Sequence, residues 1–189
     1  MTPSPLWRVF PWDPNAADGK PFSPAFVPGG QGRNRFDLPA RPRGVIYFAD
    51  TEEHAVGEMI QGFRNAPDPL TTDDLTAWGH RLALVSATLA PAVWADVADL
   101  CEPDTLQSVQ ITADVPAYRD RKRTQQIAID LEAAMHAGLR WWSAFWGDWH
   151  SIILFRDRLP PQALTYGQPI PLSPTSPPVV EAARLLDIG

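Results

Sequence analysis

Cysteine is nearly absent from this chain of 189 residues, whose single cysteine is Cys101. One cysteine excludes an intramolecular disulfide and any zinc site built from several thiolates. Long apolar runs are also missing, since a run such as Ile152–Phe155 is far shorter than the roughly 18 residues that span a bilayer. The first residues, Met1–Arg8, lack the basic start and apolar stretch of a secretion signal. We therefore expect a cytoplasmic protein with no membrane partner.

An excess of positive charge is missing as well, because 22 acidic side chains outnumber 16 basic ones for a net charge of −6. Nucleic-acid binding depends largely on neutralising phosphates, so we expect no nucleic-acid partner. The charge is unevenly placed, however, and four arginines fall within residues 33–43, close to Gly29, Gly30 and Gly32. Glycine lets backbone N–H groups approach an anion, and arginine offers a planar fork to phosphate. This segment is either an anion-binding loop or an ordinary solvated loop.

The familiar nucleotide-binding and hydrolase motifs do not occur in the sequence. No Gly-x-Gly-x-x-Gly follows a predicted strand, and no phosphate loop ends in Gly-Lys-Ser/Thr. No Gly-x-Ser-x-Gly elbow surrounds Ser143, which argues against a serine hydrolase built on Ser143, Asp148 and His150. His54 and Glu58 have the spacing of a metal-binding pair on a helix, but no third ligand accompanies them. We therefore predict no metal site and no prosthetic group.

Proline is abundant, with 21 residues, while eight Trp and eight Phe are typical of a folded core. Seven of the prolines lie in residues 159–178, which predicts a segment that wraps around the domain rather than pairing in a sheet. A short helix over residues 179–186 is expected to close the chain. Four tryptophans within nine residues (Trp141, Trp142, Trp146 and Trp149) predict that at least one faces a pocket or a partner.

Strands are predicted where β-branched and aromatic residues cluster. The segments are Trp7–Phe10, Gly44–Ala49, Arg81–Val85, Ser108–Thr112 and Ser151–Phe155. A helix is predicted to begin at Asp50 as its N-cap and to carry Glu58 off an apolar stripe of Ala55, Val56, Met59, Ile60 and Phe63. A second helix is predicted from about Thr124 to an end at Gly138. Strands interleaved with few helices predict a single α+β domain over residues 1–189.

Six short blocks in chain order carry a further signal. They are Trp7–Phe10, Gly32–Asp37, Val45–Asp50, Ala55–Glu58, Gly138–Ser143 and Ile152–Phe155. Taken together they resemble the RES-domain family, named for its Arg, Glu and Ser, and the eleven-residue spacing from Tyr47 to Glu58 fits the family's Tyr…Ala-x-x-Glu pattern. Arg33 and Arg35 compete for the family's arginine, and Arg35 is preferred because it directly precedes an aromatic residue. The blocks span residues 7–155, so the proline-rich segment and short helix within 159–189 lie outside them.

The resemblance implies a fold similar to ADP-ribosyltransferases, with an antiparallel or mixed β core and a few flanking helices. It also implies an enzyme that cleaves the nicotinamide–ribose bond of NAD with water or phosphate as the acceptor, so that NAD is a substrate rather than a cofactor. Members of the family are often toxins of toxin–antitoxin pairs, in which the antitoxin occludes the active site. Two alternatives stay open: transfer of ADP-ribose to a protein, and a catalytically inactive module that binds NAD or a partner.

The resemblance also assigns roles to individual residues. Cleavage develops positive charge on the ribose, which a carboxylate such as Glu58 stabilises. Arg35 and Ser143 join Glu58 as the expected catalytic residues. The residues expected to bind substrate are Tyr47, Arg33, Arg8 and Trp142.

Overall fold

The computed structural model of this chain describes residues 4–40, 44–112, 120–143 and 145–189. Arg41 and Arg43 of the arginine-rich segment therefore lie outside the described residues.

The contacts within the chain separate two compact units, each assembled from distant stretches of sequence. The first unit contains Val27–Phe48 and Leu89–Leu164. The second contains Ser4–Phe26, Ala49–Thr88 and Thr165–Gly189. Both contain strands and helices, so the predicted α+β class is confirmed.

Nine strands and five α-helices occur in the part of the chain that the structure describes. The strands are β1 (Leu6–Pro11), β2 (Val45–Ala49), β3 (Thr76–Ala77), β4 (His80–Leu89), β5 (Val97–Asp99), β6 (Gly138–Trp142), β7 (His150–Phe155), β8 (Leu164–Tyr166) and β9 (Ile170–Pro171). The helices are α1 (Glu52–Ile60), α2 (Pro91–Trp94), α3 (Pro103–Ser108), α4 (Arg121–Ala133) and α5 (Pro177–Leu186). The predicted strands within β1, β2, β4 and β7 and the closing helix are confirmed.

The first unit is organised around β7, in which Ile152–Phe155 are all buried. A continuous buried apolar run is typical of a central strand that is covered on both faces. β7 lies between β2 and β6 in the sheet and pairs with β6 in antiparallel register, with Gly138 opposite Leu154. β5 follows on the far side of β6 and runs parallel to it, with Val97 opposite Gly138. This part of the sheet is therefore mixed, as expected.

The core of the first unit lies between these strands and α4, which packs on β6. α4 buries Ile127, Ala128 and Leu131 in it, and burial of one such large apolar side chain is worth about 1.5–3 kcal/mol. The strands contribute Val45, Leu139, Trp141, Ile153 and Phe155, among others, to the same cluster. Tyr47 and Trp142 are half-buried against it. The core of this unit thus holds two of the predicted site residues in place.

The predicted end of the second helix at Gly138 is wrong. α4 starts three residues earlier than expected, at Arg121, where the Asp120 carboxylate caps it by accepting from the Lys122 N–H at 3.0 Å. It ends at Ala133, and Met135 takes the left-handed conformation with φ 72° that helix ends require. Gly138 instead begins β6, where a Cβ atom would lie 2.2 Å from the carbonyl oxygen of Ile153. The glycine is needed for a close approach of two strands rather than for a helix end.

The second unit is organised around β4, which pairs antiparallel with β1 from Leu6 opposite Ala87 to Pro11 opposite Leu82. β3 forms a tight hairpin with the start of β4. β2 spans the division between the units, and its last residue, Ala49, pairs with Trp7 of β1 inside the second unit. α1 packs against both β1 and α5. These contacts fix the axis of α1, which carries Glu58.

The first helix differs from prediction in its cap and in its buried face. Thr51, not Asp50, is the N-cap, because its hydroxyl accepts from the His54 N–H at 3.2 Å. Met59 is 42% exposed and does not belong to the buried face, whereas Ala55, Val56 and Ile60 do, as predicted. The buried face of α1 also includes Gly57 and His54. Packing against both β1 and α5 therefore buries a polar residue that the apolar stripe did not include.

Two further predictions fail for local reasons. Ser108–Thr112 is not a strand: Pro103 opens α3, and the Ile111 N–H returns to the Leu106 carbonyl at 2.9 Å behind the left-handed Gln110. The proline-rich segment does not avoid the sheet, because β9 pairs with β4 with Pro171 opposite Ala83. Proline is tolerated there because β9 is a two-residue edge strand. The N–H of the neighbouring Leu172 donates to the Leu82 carbonyl at 2.8 Å.

No helix among the described residues is long and apolar enough to cross a lipid bilayer.

Candidate functional site

Tyr47, on β2, makes the central hydrogen bonds of a buried cluster in the first unit. Its hydroxyl donates to Asp37 Oδ1 at 2.9 Å and accepts from the Phe36 N–H at 3.2 Å. Burial, together with the nearby Asp37 charge and the hydrogen bond to it, raises the pKa of Tyr47 well above its usual value of 10. The phenol is therefore neutral near pH 7 and acts as a fixed donor to Asp37.

Asp37 is the anchor of the loop that contains the arginines. It is buried, and its second oxygen accepts from the Gly32 N–H at 2.8 Å and the Asn34 N–H at 2.9 Å. From outside the loop, the Gln125 side chain on α4 donates to the carbonyls of Gly32 at 3.1 Å and Asn34 at 2.9 Å. A carboxylate that accepts N–H groups from residues three and five positions before it closes the backbone into a tight turn. The loop is thus ordered by polar contacts on both sides.

The two arginines of this loop differ in their surroundings. Arg33 is exposed. Arg35 is half-buried, with its guanidinium carbon 5.4 Å from the centroid of the Phe36 ring, and its carbonyl accepts from the Thr124 hydroxyl. A guanidinium over an aromatic ring is attracted by the ring's negative face. Arg35 therefore has a held backbone and a preferred side-chain direction, while Arg33 extends into solvent.

Trp142 and Ser143 lie at the end of β6, also in the first unit. Trp141 is buried, and its ring meets that of Trp142 edge to face with centroids 4.6 Å apart. The Ser143 N–H donates to the Trp149 carbonyl at 2.7 Å, and the Ser143 hydroxyl accepts from the Phe145 N–H at 3.2 Å. Ser143 is thereby held in a turn. Of the four clustered tryptophans, Trp146 is 39% exposed and Trp142 is half-buried, in line with the prediction that at least one is accessible.

Glu58 lies in the second unit, on α1, with His54 one turn before it and Asp50 just ahead of the helix. His54 is fully buried, and its Nε2 lies 3.2 Å from Glu58 Oε1 while its Nδ1 lies 3.1 Å from Asp50 Oδ1. The Glu58 side chain is 39% exposed and that of Asp50 is 26% exposed. The three side chains form a row in which a buried imidazole joins two accessible carboxylates.

Opposing influences act on the charge of His54. Burial lowers its pKa, but the hydrogen bonds and negative charges of Asp50 and Glu58 outweigh burial and leave the pKa raised above its usual 6.5. Carboxylates can only accept hydrogen bonds, so an imidazole that contacts one at each nitrogen satisfies both contacts only when it carries both protons. The geometry therefore favours the imidazolium form.

Arg8, the remaining predicted residue, lies on β1 in the second unit. Its guanidinium donates to the Phe26 carbonyl at 2.8 Å and to the Pro24 carbonyl, and its carbon lies 5.9 Å from the centroid of the Phe10 ring. These contacts tie residues 24–26 to the strand.

The structure groups the predicted residues by unit. Arg33, Arg35, Tyr47, Trp142 and Ser143 belong to the first, and Glu58 and Arg8 belong to the second. Sequence reasoning did not identify Asp37, and it considered His54 only as a metal ligand. The available signal was the regular spacing Asp50-x-x-x-His54-x-x-x-Glu58, which places three ionisable groups along one face of a helix. No group of three His, Cys, Asp or Glu side chains within the described ranges is arranged to hold a metal ion.

Comparison with known proteins extends the sequence resemblance. A family model described as the RES domain matches residues 5–173. The crystal structure of the M. tuberculosis MbcT–MbcA toxin–antitoxin complex is similar in fold, with a TM-score of 0.59 at 18% identity over 97% of this chain and 89% of that chain. No curated protein matches the chain. The resemblance noted from the six sequence blocks is therefore confirmed.

Proposed function

The chain belongs to the RES-domain family, and from that premise we propose that it is an enzyme that degrades NAD. The reaction breaks the bond between nicotinamide and ribose, and the bonding electrons leave with the nicotinamide nitrogen. Water or phosphate then forms a new C–O bond at the same ribose carbon. With water the products are ADP-ribose, nicotinamide and a proton. With hydrogen phosphate they are ADP-ribose phosphorylated at that ribose carbon, nicotinamide and a proton.

The observation that carries the proposal is the environment of Glu58. Its carboxylate is accessible at 39% exposure, yet one oxygen lies 3.2 Å from a buried histidine. Breaking a glycosidic bond places positive charge on the ribose ring, and a fixed carboxylate lowers the energy of that charged state. An ordinary surface glutamate has no such fixed partner. Glu58 is therefore proposed as the group that stabilises the ribose cation or orients the attacking oxygen.

The arginine loop supplies the second part of the proposal, which is binding of the pyrophosphate. Two guanidinium groups on one short loop match the negative charges of a pyrophosphate, and each can bind two oxygens at once. The loop backbone is already ordered by Asp37, so binding need not restrict it further. We assign this role to Arg35, with the exposed Arg33 providing a second guanidinium. Arg8 is kept as a third contact, although its guanidinium also holds the carbonyls of residues 24 and 26.

Aromatic and hydroxyl groups complete the proposed set. The Tyr47 hydroxyl is engaged with Asp37, so the surface that it offers to nicotinamide is its half-buried ring. Trp142 is likewise half-buried and offers a second ring for stacking. The Ser143 hydroxyl, held in its turn by the Phe145 N–H, is proposed to bind the nicotinamide amide or a ribose hydroxyl.

We further propose that the protein is the toxin of a toxin–antitoxin pair and that a partner protein covers the active site. Support comes from the family and from the fold shared with the toxin–antitoxin complex of MbcT and MbcA. An enzyme that consumes NAD without limit depletes a cofactor that the cell needs, which gives a physical reason for such a partner. Expression alone should arrest growth and lower cellular NAD.

The test of the enzymatic proposal is release of nicotinamide from NAD by the purified chain, with and without phosphate. Release that accelerates with phosphate would identify a phosphorylase, and release at the same rate without it would identify a glycohydrolase. Release that requires an added protein acceptor would instead identify an ADP-ribosyltransferase. A folded protein that binds NAD but releases nothing under all three conditions would be an inactive binding module, and the enzymatic proposal would be wrong.

A further inference from the structure

We propose that His54 is a positioning residue for Glu58: braced by Asp50 at one ring nitrogen, it fixes the Glu58 carboxylate through the other. This inference rests on the proposed NAD-degrading function, in which Glu58 acts on the ribose. It concerns two residues to which the RES resemblance assigns no role. His54 lies outside the motif blocks, and Asp50 is the last residue of the block Val45–Asp50.

Asp50, His54 and Glu58 share one register along α1. Residues four apart are neighbours on a helix surface, so Asp50, His54 and Glu58 follow one another along one face. Because Thr51 provides the helix cap, the Asp50 carboxylate is not used for capping and instead contacts His54 Nδ1 at 3.1 Å. The ring therefore has a defined partner at each nitrogen, which fixes its orientation.

Burial differs sharply between the histidine and the two carboxylates of the row. His54 has no exposed side-chain surface, whereas Glu58 is 39% exposed. A residue with no exposed surface cannot touch a substrate, so His54 cannot itself be a catalytic group. His54 can influence the reaction through Glu58, which it contacts and whose side chain is 39% exposed. A flexible carboxylate on a helix surface gains a preferred position from such a contact.

Charged side chains also lie on the two elements that pack against α1. α1 packs against β1, which carries Arg8, and against α5, which carries Glu181 and Arg184. The Arg8 guanidinium is directed at the carbonyls of Pro24 and Phe26, and Arg184 forms an ion pair with Glu181. The charges that act on His54 to raise its pKa are those of Asp50 and Glu58.

The row can be tested first without any substrate, by following the ring nitrogens of ¹⁵N-labelled histidine by NMR as the pH is changed. The His54 signals are identified as those that are missing from His54→Gln. In the wild type we expect His54 to lose its proton at a higher pH than an ordinary histidine. Glu58→Gln and Asp50→Asn should each move that midpoint to lower pH. A midpoint that does not respond to Glu58→Gln would show that the two side chains are not in contact, and would overturn the proposal.

The kinetic test measures nicotinamide release at saturating and at low NAD. Misplacement of a catalytic group by about 1 Å can cost on the order of 100-fold in rate, so His54→Gln should lower kcat by about that factor with KM near the wild-type value. Asp50→Asn, which removes only the outer support, should lower kcat roughly tenfold. Glu53→Gln on the same helix and His136→Gln elsewhere serve as matched controls and should retain wild-type kcat.

The outcomes separate this inference from the proposed function. A purely structural role would lower Tm in His54→Gln and Asp50→Asn while the folded protein kept its kcat, which would overturn the positioning role alone. If the buried substitution prevents folding, Asp50→Asn decides, because that side chain is 26% exposed and its replacement keeps the same shape. A wild type that releases no nicotinamide would overturn the proposed function and, with it, the catalytic purpose of His54.

Discussion

Each unit buries an ionisable side chain within a hydrogen-bonded cluster, and the two buried side chains have opposite charges. In the first, Asp37 is buried and accepts hydrogen bonds from a neutral phenol and from two backbone N–H groups. In the second, a buried imidazole contacts two partly exposed carboxylates, and its raised pKa favours the cation. One arrangement buries a single negative charge among neutral donors. The other buries a positive charge and leaves its negative partners at the surface.

The two arrangements have different consequences: the first anchors a loop backbone, and the second positions an accessible carboxylate. A buried carboxylate surrounded by fixed donors orders the backbone around it, here residues 32–37, and has no surface left to offer a ligand. An accessible carboxylate attached to a buried base keeps a surface for chemistry while its position is restricted. We therefore expect changes at Asp37 and Tyr47 to act mainly on stability, and changes along the Asp50–His54–Glu58 row to act mainly on turnover.

The largest expected effect is that of Glu58→Gln. Loss of the negative charge removes the stabilisation of the ribose cation, and kcat should fall by about 10²–10⁴-fold. Tm should stay near the wild-type value, because the side chain is 39% exposed. The measurement is nicotinamide release beside a thermal melt, with Glu53→Gln as the control on the same helix. Turnover that survives would remove Glu58 from the mechanism.

Asp37→Ala should have the largest effect on stability. The substitution leaves the Tyr47 hydroxyl and the N–H groups of Gly32 and Asn34 without their acceptor, which should cost about 3 kcal/mol. For a chain of this size that corresponds to a fall in Tm of roughly 6–12 °C. Asp18→Ala, at an exposed position, is the control and should melt as the wild type does. An unchanged Tm in Asp37→Ala would contradict the anchoring role.

Tyr47→Phe is expected to have a smaller effect of the same kind. It removes one hydrogen bond to Asp37 and one from the Phe36 N–H, and should lower the free energy of unfolding by about 1–2 kcal/mol. Because the ring is retained, KM for NAD should change little, whereas Tyr47→Ala should raise it. Denaturant unfolding and steady-state kinetics measure the two quantities. Equal KM values for both variants would exclude stacking on the Tyr47 ring.

The smallest expected effect is a difference in pH dependence between the two clusters. The pKa of His54 is raised in the folded state, so its stabilising contribution is fully present below pH 6.5 and is lost as the pH rises through the folded value. The pKa of Tyr47 is raised above 10, so its contribution is constant near neutrality and is lost only at strongly alkaline pH. The Tm difference between wild type and Asp50→Asn should therefore shrink by a few degrees above pH 6.5. The difference between wild type and Tyr47→Phe should stay constant over that range, and a parallel decline would contradict the assignment.

Local sequence patterns predict much of the fold. They fail where the same residue type is common in two kinds of local structure. The aromatic and β-branched runs in β1, β2, β4 and β7 were identified because their strand preference agrees with their burial. The sequence pattern predicts a helix end at Gly138, because a glycine that ends a helix cannot be distinguished by sequence from a glycine required where two strands approach closely. Ile111 was placed in a strand, whereas its backbone closes the end of α3.

The candidate site shows the same division. The motif resemblance nominates four residues, Arg35, Tyr47, Glu58 and Ser143, and the sequence spacing places His54 one helical turn from Glu58. The anchoring contacts of Asp37 and the burial of His54 between two carboxylates come only from the structure. Aspartate is mostly exposed in proteins and histidine is intermediate, so sequence alone assigns neither to the interior. Their burial follows from the packing of the loop 32–37 on α4 and of α1 on β1 and α5.

The sequence by itself determined the family, the α+β class and the absence of an intramolecular disulfide, and it nominates the residues proposed for an NAD-degrading site. These depend on composition and on short ordered motifs, which survive without knowledge of the packing. Only the tertiary structure decided what each of those residues contacts: Tyr47 bonds to Asp37, and Glu58 to a buried His54. The physical reason is that burial depends on which segments pack together. His54 is buried because α1 packs on β1 and α5, and segments so distant in sequence carry no local mark of that packing.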